Sequence, residues 1–238
     1  SPTLASVTRA SSLEGSVYAG LEALTNLCLG REYVRDDGAA MRIERMLIDA
    51  SWGQVTDVVY RFCRGSAHAA VLMPSHGRFV GASSRPIAEY RRSPGDRLGL
   101  NWKIPHVKGQ RAVRHVFYDT NFWKSFVFAR LATSQGSPGC LSLFGDNPGA
   151  HRMLADHLTA EYCIRVESHL RAVDEWRLRP DRHDNHWFDA LVGCAVAASI
   201  QGLALAERAE VQSPQARRKL SQLRKQRHLV AGIRNNMA

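Results

Sequence analysis

Ten histidines include no H-E-x-x-H, five cysteines include no C-x-x-C, and neither G-x-S-x-G nor G-x-G-x-x-G occurs. These absences remove the zincin site, the paired-cysteine zinc or redox site, the serine-hydrolase elbow and the dinucleotide-binding turn. Cys28, Cys63, Cys140, Cys163 and Cys194 are odd in number and scattered. They read as free, buried thiols of a reducing compartment rather than as a disulfide framework. No basic segment followed by an apolar core opens the sequence, so no secretory signal is visible. The longest apolar stretch, 188–206, carries Asp189, Ser199 and Gln201, which suits a packed core helix and not a membrane span.

What is present is an ordinary globular composition: 238 residues, 45% hydrophobic and 23% charged. A chain of this length can bury a full core without disulfides, and low complexity and wholesale disorder are excluded. The net charge is +10, but it is unevenly placed. From Ser213 onward there are seven basic residues, Arg217, Arg218 and Lys219 among them, and no acidic one, which leaves +3 for residues 1–212. Ala216, Leu220, Leu223 and Val230 recur there at helical spacing. The tail is therefore either a basic helix with a narrow apolar stripe, able to meet phosphate or protein acid, or a solvated terminus. A second basic cluster, residues 85–108, sets Arg91, Arg92, Arg97 and Lys103 among prolines and glycines with Tyr90 and Trp102 interleaved. It reads as a long exposed loop, either a nucleic-acid track or a surface excursion.

Along the chain, residues 1–12 are polar and small and read as disordered or peripheral, and 16–29 form an amphipathic helix with Val17, Leu21, Leu24 and Cys28 on one face. Residues 41–49 alternate and then become continuously apolar, as a strand does on entering a sheet, and end in Asp49. A helix over 55–63 follows, then a strand over 69–73, the basic loop, and a strand over 113–118 that ends in Asp119. Thr120 is placed to cap the next helix, 122–132. A short strand at 141–144, a helix at 148–158 and a hairpin from 161–166 and 170–178 lead to the last apolar helix, with Asp184 or Asn185 as its cap.

Alternating strands and helices predict an α/β fold with a parallel or mixed sheet, whose ligands gather at the carboxyl ends of the strands. Asp49 and Asp119 fall at such ends, and Asp189 lies in the first turn of an otherwise apolar helix. Each has an ordinary structural reading as well, as a turn former or a partner of the helix dipole. Acids brought together from distant points in a chain suit a hard cation. Magnesium takes one or two carboxylates plus phosphate oxygens and water, and an ion pair about 3.5–4 Å apart can stabilise both the attacking and the leaving oxygen of a phosphodiester.

Met46-Leu47-Ile48-Asp49 followed by Gly53 and Thr56-Asp57-Val58-Val59-Tyr60, Val116-Phe117-Tyr118-Asp119 followed by Lys124 and Arg130-Leu131, and the closing run from Asp184 to Leu191 resemble the nuclease domain of phage terminase large subunits of the GpA type. The resemblance spans roughly 15–205 and implies a ribonuclease H-like fold: a mixed sheet flanked by helices, here incomplete at its N-terminus because no strand within 1–40 carries the family's first aspartate. It implies domains of 13–208 for the nuclease and 209–238 for the basic tail. It makes Asp49 and Asp189 the catalytic acids and ligands of Mg²⁺ or Mn²⁺ in a two-metal endonuclease, with Asp119 a further ligand candidate. His186, three residues before Asp189, and Lys124 are candidates to contact substrate or water. Arg91, Arg92, Arg97, Lys103, Arg217, Arg218 and Lys219 are candidates to grip DNA.

The family cuts concatemeric viral DNA during genome packaging, so the implied partners are double-stranded DNA, the terminase small subunit and the portal, in the host cytoplasm and without a membrane. No G-x-x-x-x-G-K-[ST] loop occurs, so the family's ATPase motor lies outside this sequence. Two readings compete with this one. Another ribonuclease H-like enzyme, a transposase or resolvase, would use the same acids, and a non-catalytic remnant would only bind DNA or packaging partners. Basic side chains on phosphates read no bases, so binding is expected to be nearly sequence-neutral and to weaken with salt.

Overall fold

A computed structural model describes residues 6, 8, 10–35, 37–109, 112–168 and 171–203. The sequence order is α1 (Leu13–Leu29), β1 (Tyr33–Val34), β2 (Ala40–Met41), β3 (Met46–Asp49), α2 (Thr56–Gly65), β4 (Leu72–Arg78), β5 (Arg97–Gly99), β6 (Trp102–Ile104), β7 (Val116–Asp119), α3 (Thr120–Ala132), α4 (Arg152–Leu158), β8 (Glu161–Glu167), β9 (Ala172–Leu178) and α5 (His186–Ile200). The Ser12 hydroxyl accepts from the Gly15 amide and starts α1. Leu24 is 49% exposed, so the packed face of α1 is narrower than its periodicity predicts.

Five strands form one mixed sheet in the order β3-β4-β7-β6-β5. β3, β4 and β7 run parallel, and β6 and β5 are antiparallel to their neighbours. With helices on both faces this is an α/β architecture consistent with a ribonuclease H-like fold. Strand alternation divides the side chains. Leu47, Met73, Val116, Tyr118 and Trp102 point to one face, where they pack on Trp123 and Val127 of α3 and Phe188, Val192 and Val196 of α5. Ile48 and Leu72 point to the other, against Val59, Phe62 and Cys63 of α2 and Tyr18 and Leu21 of α1.

Three expectations need correction. The second strand begins at Leu72 and not at Ala69, because Ala69 and Val71 close turns onto Ser66 and His68 while the chain runs on, extended, through the polar Ser75-His76-Gly77. Residues 97–104 of the basic segment are no exposed loop: they pair as the β5-β6 hairpin and bury Trp102, Lys103 and Ile104. Residues 141–144 form no strand; Phe144 is 84% exposed there, with no neighbouring strand to pair it. Cys63 is buried as predicted, whereas Cys163 and Cys194 are exposed.

Candidate active site

Asp49 ends β3 on the sheet face that α5 covers, since it shares its side with Leu47. Its Oδ1 accepts from the Ser51 amide at 3.1 Å, which fixes the turn after the strand. The Gln201 side-chain amide, just past the end of α5, donates to Glu44 ahead of β3 at 3.4 Å, which ties the C-terminal end of the helix to the start of the strand. Tyr118 marks the meeting point. Its buried phenol is held far above its usual range by desolvation first, and then by the negative charges of Asp189 and Asp49.

Asp189 is gripped as well as aimed. Its Oδ1 lies 3.0 Å from the Lys124 ammonium, which also meets Glu161 Oε1 at 2.5 Å. Lys124 and Glu161 are almost wholly buried, while the Asp189 side chain keeps 46% exposure. Asn185 Nδ2 donates to the same Glu161 oxygen, and the Phe188 ring lies 5.3 Å beneath the ammonium. Asn185, the residue before α5, thus ties the helix start to β8 and makes no side-chain cap. Sequence reasoning missed Glu161, Asn185 and Tyr118. Glu161 opens a strand whose other residues alternate between exposed and half-buried, and only its place after the buried Ala160 hints at an inward carboxylate.

Asp119 stands apart from this pair. Alternation sends it to the side opposite Tyr118, where it caps α3 by accepting from the Phe122 amide, the role expected of Thr120. Burial pushes its carboxyl up to about 6, against the pull of the Phe122 and Asn121 amides and of Arg171. His186 is exposed and faces Asp184 at 3.7 Å. The Lys103 ammonium is buried on Asp96, 2.7 Å away, and on the Arg91 carbonyl, so it braces the loop from within and does not face a phosphate. Lys124 is likewise inward. Arg91, Arg92 and Arg97 are exposed, with Arg97 also reaching the Ile200 carbonyl at 3.5 Å. Arg217, Arg218 and Lys219 lie outside the described residues.

As a donor set, Asp49 and Asp189 match the carboxylates that one Mg²⁺ or Mn²⁺ needs alongside phosphate and water. Among the described residues no group of three or more histidine, cysteine, aspartate or glutamate side chains is arranged to hold an ion. Two carboxylates make no closed protein cage, so phosphate and water would have to complete the coordination of a hard cation there. The family model of the terminase large subunit gpA endonuclease domain matches residues 15–211. The chain belongs to this family. Comparison with curated proteins finds no match, and neither does comparison with solved structures. Among the described residues of this terminase domain, no helix is long and apolar enough to cross a membrane.

Proposed function

We propose that this GpA-type domain is a metal-dependent DNA endonuclease that cuts concatemeric viral DNA during genome packaging. The observation that supports the reading best is that Asp49 ends a parallel strand, Asp189 sits in the first turn of the helix packed on that sheet face, and the charges of both reach Tyr118. The two carboxylates would hold Mg²⁺ or Mn²⁺, which when bound polarises a phosphodiester and lowers the pKa of attacking water. The chain's own contribution is positional: β3 presents Asp49, α5 presents Asp189, and Lys124 fixes the rotamer of Asp189. Exposed Arg91, Arg92 and Arg97 would hold the DNA backbone without reading bases. The terminase small subunit and the portal are the protein partners this role requires, in the host cytoplasm.

A second reading, a DNA-binding remnant without chemistry, has one observation in its favour: Asp189 is already paired with an ammonium. Incubating supercoiled plasmid with Mn²⁺, Mg²⁺ or EDTA separates the two. Nicking that needs metal and falls at least 100-fold in both Asp49→Asn and Asp189→Asn is expected, by analogy with other losses of electrostatic stabilisation. A salt-sensitive gel shift with no nicking under any metal would establish the remnant.

A further inference from the structure

We propose that His76 and His115 form a binding site for a transition-metal dication of the Zn²⁺ class, on the sheet face opposite Asp49. Alternation sends Asp49 and its partner Ser75 to the α5 side and therefore His76 to the α2 side, together with Leu72. β7 pairs with β4 so that Val116 lies beside Ser75, which puts His115 on the α2 side as well, diagonal to His76. The two imidazole rings stand 5.7 Å apart, centre to centre, at 89° to each other. Imidazoles that share one Zn²⁺ through bonds of about 2.0–2.1 Å have centres roughly 5–6 Å apart. The pair is therefore already spaced for an ion.

Each ring also has one nitrogen held and one left open. The Tyr60 hydroxyl of α2 lies 2.9 Å from His76 Nε2, and the Val113 carbonyl lies 3.4 Å from His115 Nδ1. Among the described residues neither ring has a second hydrogen-bond partner, which leaves His76 Nδ1 and His115 Nε2 open. A histidine that ligates a metal gives its other N–H to an oxygen, which fixes the tautomer and the direction of the ring. Tyr60 and Val113 are placed for that role, and the Tyr60 ring flanks the two imidazoles at 6.0 and 5.8 Å. Both histidines are half-buried, so water reaches the site to complete the coordination. Neutral imidazole suits zinc, copper and nickel, whereas magnesium takes oxygen. The site differs in this chemistry from the Asp49 and Asp189 carboxylates and does not rest on the nuclease reading.

Calorimetric titration of the whole chain with Zn²⁺ in excess Mg²⁺, which fills oxygen sites, tests this. The wild type should take up a Zn²⁺ that Mg²⁺ does not displace. His76→Ala and His115→Ala should each weaken that binding by about tenfold or more, and Tyr60→Phe, which removes only the orienting oxygen, by about tenfold. Asp189→Asn should bind like the wild type, and so should His157→Ala, which breaks the other close histidine pair, His157 and His186 at 6.4 Å. No Zn²⁺ uptake in Mg²⁺, or uptake unchanged in both His76→Ala and His115→Ala, would overturn the proposal while leaving the nuclease reading intact. The wild-type chain alone also decides the question, whether or not the variants fold. Zn²⁺ should shield His76 and His115, but not the exposed His106, from diethyl pyrocarbonate as mapped by mass spectrometry. Equal modification of both histidines with and without Zn²⁺ would overturn the proposal.

Discussion

Replacing Asp119 by asparagine should stabilise the protein at neutral pH, and the gain should vanish in acid. The Asp119 carboxyl is 7% exposed and titrates at about 6, against 3.8 for the ordinary group. Because the folded value lies above the unfolded one, the native state binds more protons between those two pH values. Stability therefore falls as pH rises through that window and is fully reduced above it. The difference corresponds to roughly 3 kcal/mol. Asparagine keeps the cap, since it serves at that position about as well as aspartate, but it gives up the attraction to Arg171. A net gain of about 2 kcal/mol at pH 7 is expected, or roughly 4–8 °C in Tm for a chain of this size. Urea unfolding of both proteins at pH 3.5, 5 and 7 measures the difference directly, and other titrating groups cancel between them. A difference that does not change with pH, or a loss of stability at pH 7, would refute the argument. The same variant should bind Mn²⁺ like the wild type, since Asp119 is a cap set apart from the Asp49 and Asp189 carboxylates.

Gly77 pairs with Tyr118 on the α5-covered face, and a Cβ there would lie 2.7 Å from Thr120 Cγ2. The Thr120 hydroxyl is held by the Arg78 carbonyl, so its methyl has no cheap escape. Gly77→Ala should cost about 1–3 kcal/mol in urea unfolding, and an unchanged midpoint would show that the contact relaxes freely. Arg171 donates to the carbonyls of Gly81, Ala82 and Ser84, tying β9 to the segment after β4. Arg171→Met should cost roughly 2–3 kcal/mol and speed proteolytic cleavage near 81–84, and a cleavage rate equal to wild type would count against that tie.

The elements that periodicity could find were the apolar ones. Met46–Asp49 packs on both faces and the helices at 56–65 and 186–200 bury apolar side chains against the sheet, and burial is what a hydrophobic pattern encodes. Where a buried element carries polar residues the pattern fails. β4 hides Ser75 and carries His76 and Gly77 in a central strand, because β3 pairs it up to Ser75 and β7 from Ser75 onward, and those backbone bonds form whatever the side chains are. The β5-β6 hairpin was masked by its own charge. Lys103 is neutralised by Asp96, seven residues earlier, whose carboxylate also takes the amides of Ser93 and His106. A basic run read as solvated is, at that point, an internal ion pair.

The site shows the same division. Asp49 and Asp189 are legible because each ends or begins an apolar element, which makes an acid conspicuous. Glu161 and Lys124 are not, because their meaning exists only as a pair assembled across α3 and β8. Alone, Lys124 reads as a substrate contact and Glu161 as a strand-end surface residue. Together they become the reason that Asp189, an acid in the first turn of a helix over a hydrophobic core, has a fixed direction. Glu161 is a third carboxylate beside Asp189, and Lys124 already neutralises it. The activity of this chain therefore turns on whether Asp49 and Asp189, held as they are, bind a divalent ion, and measuring Mn²⁺ binding alongside nicking addresses that directly.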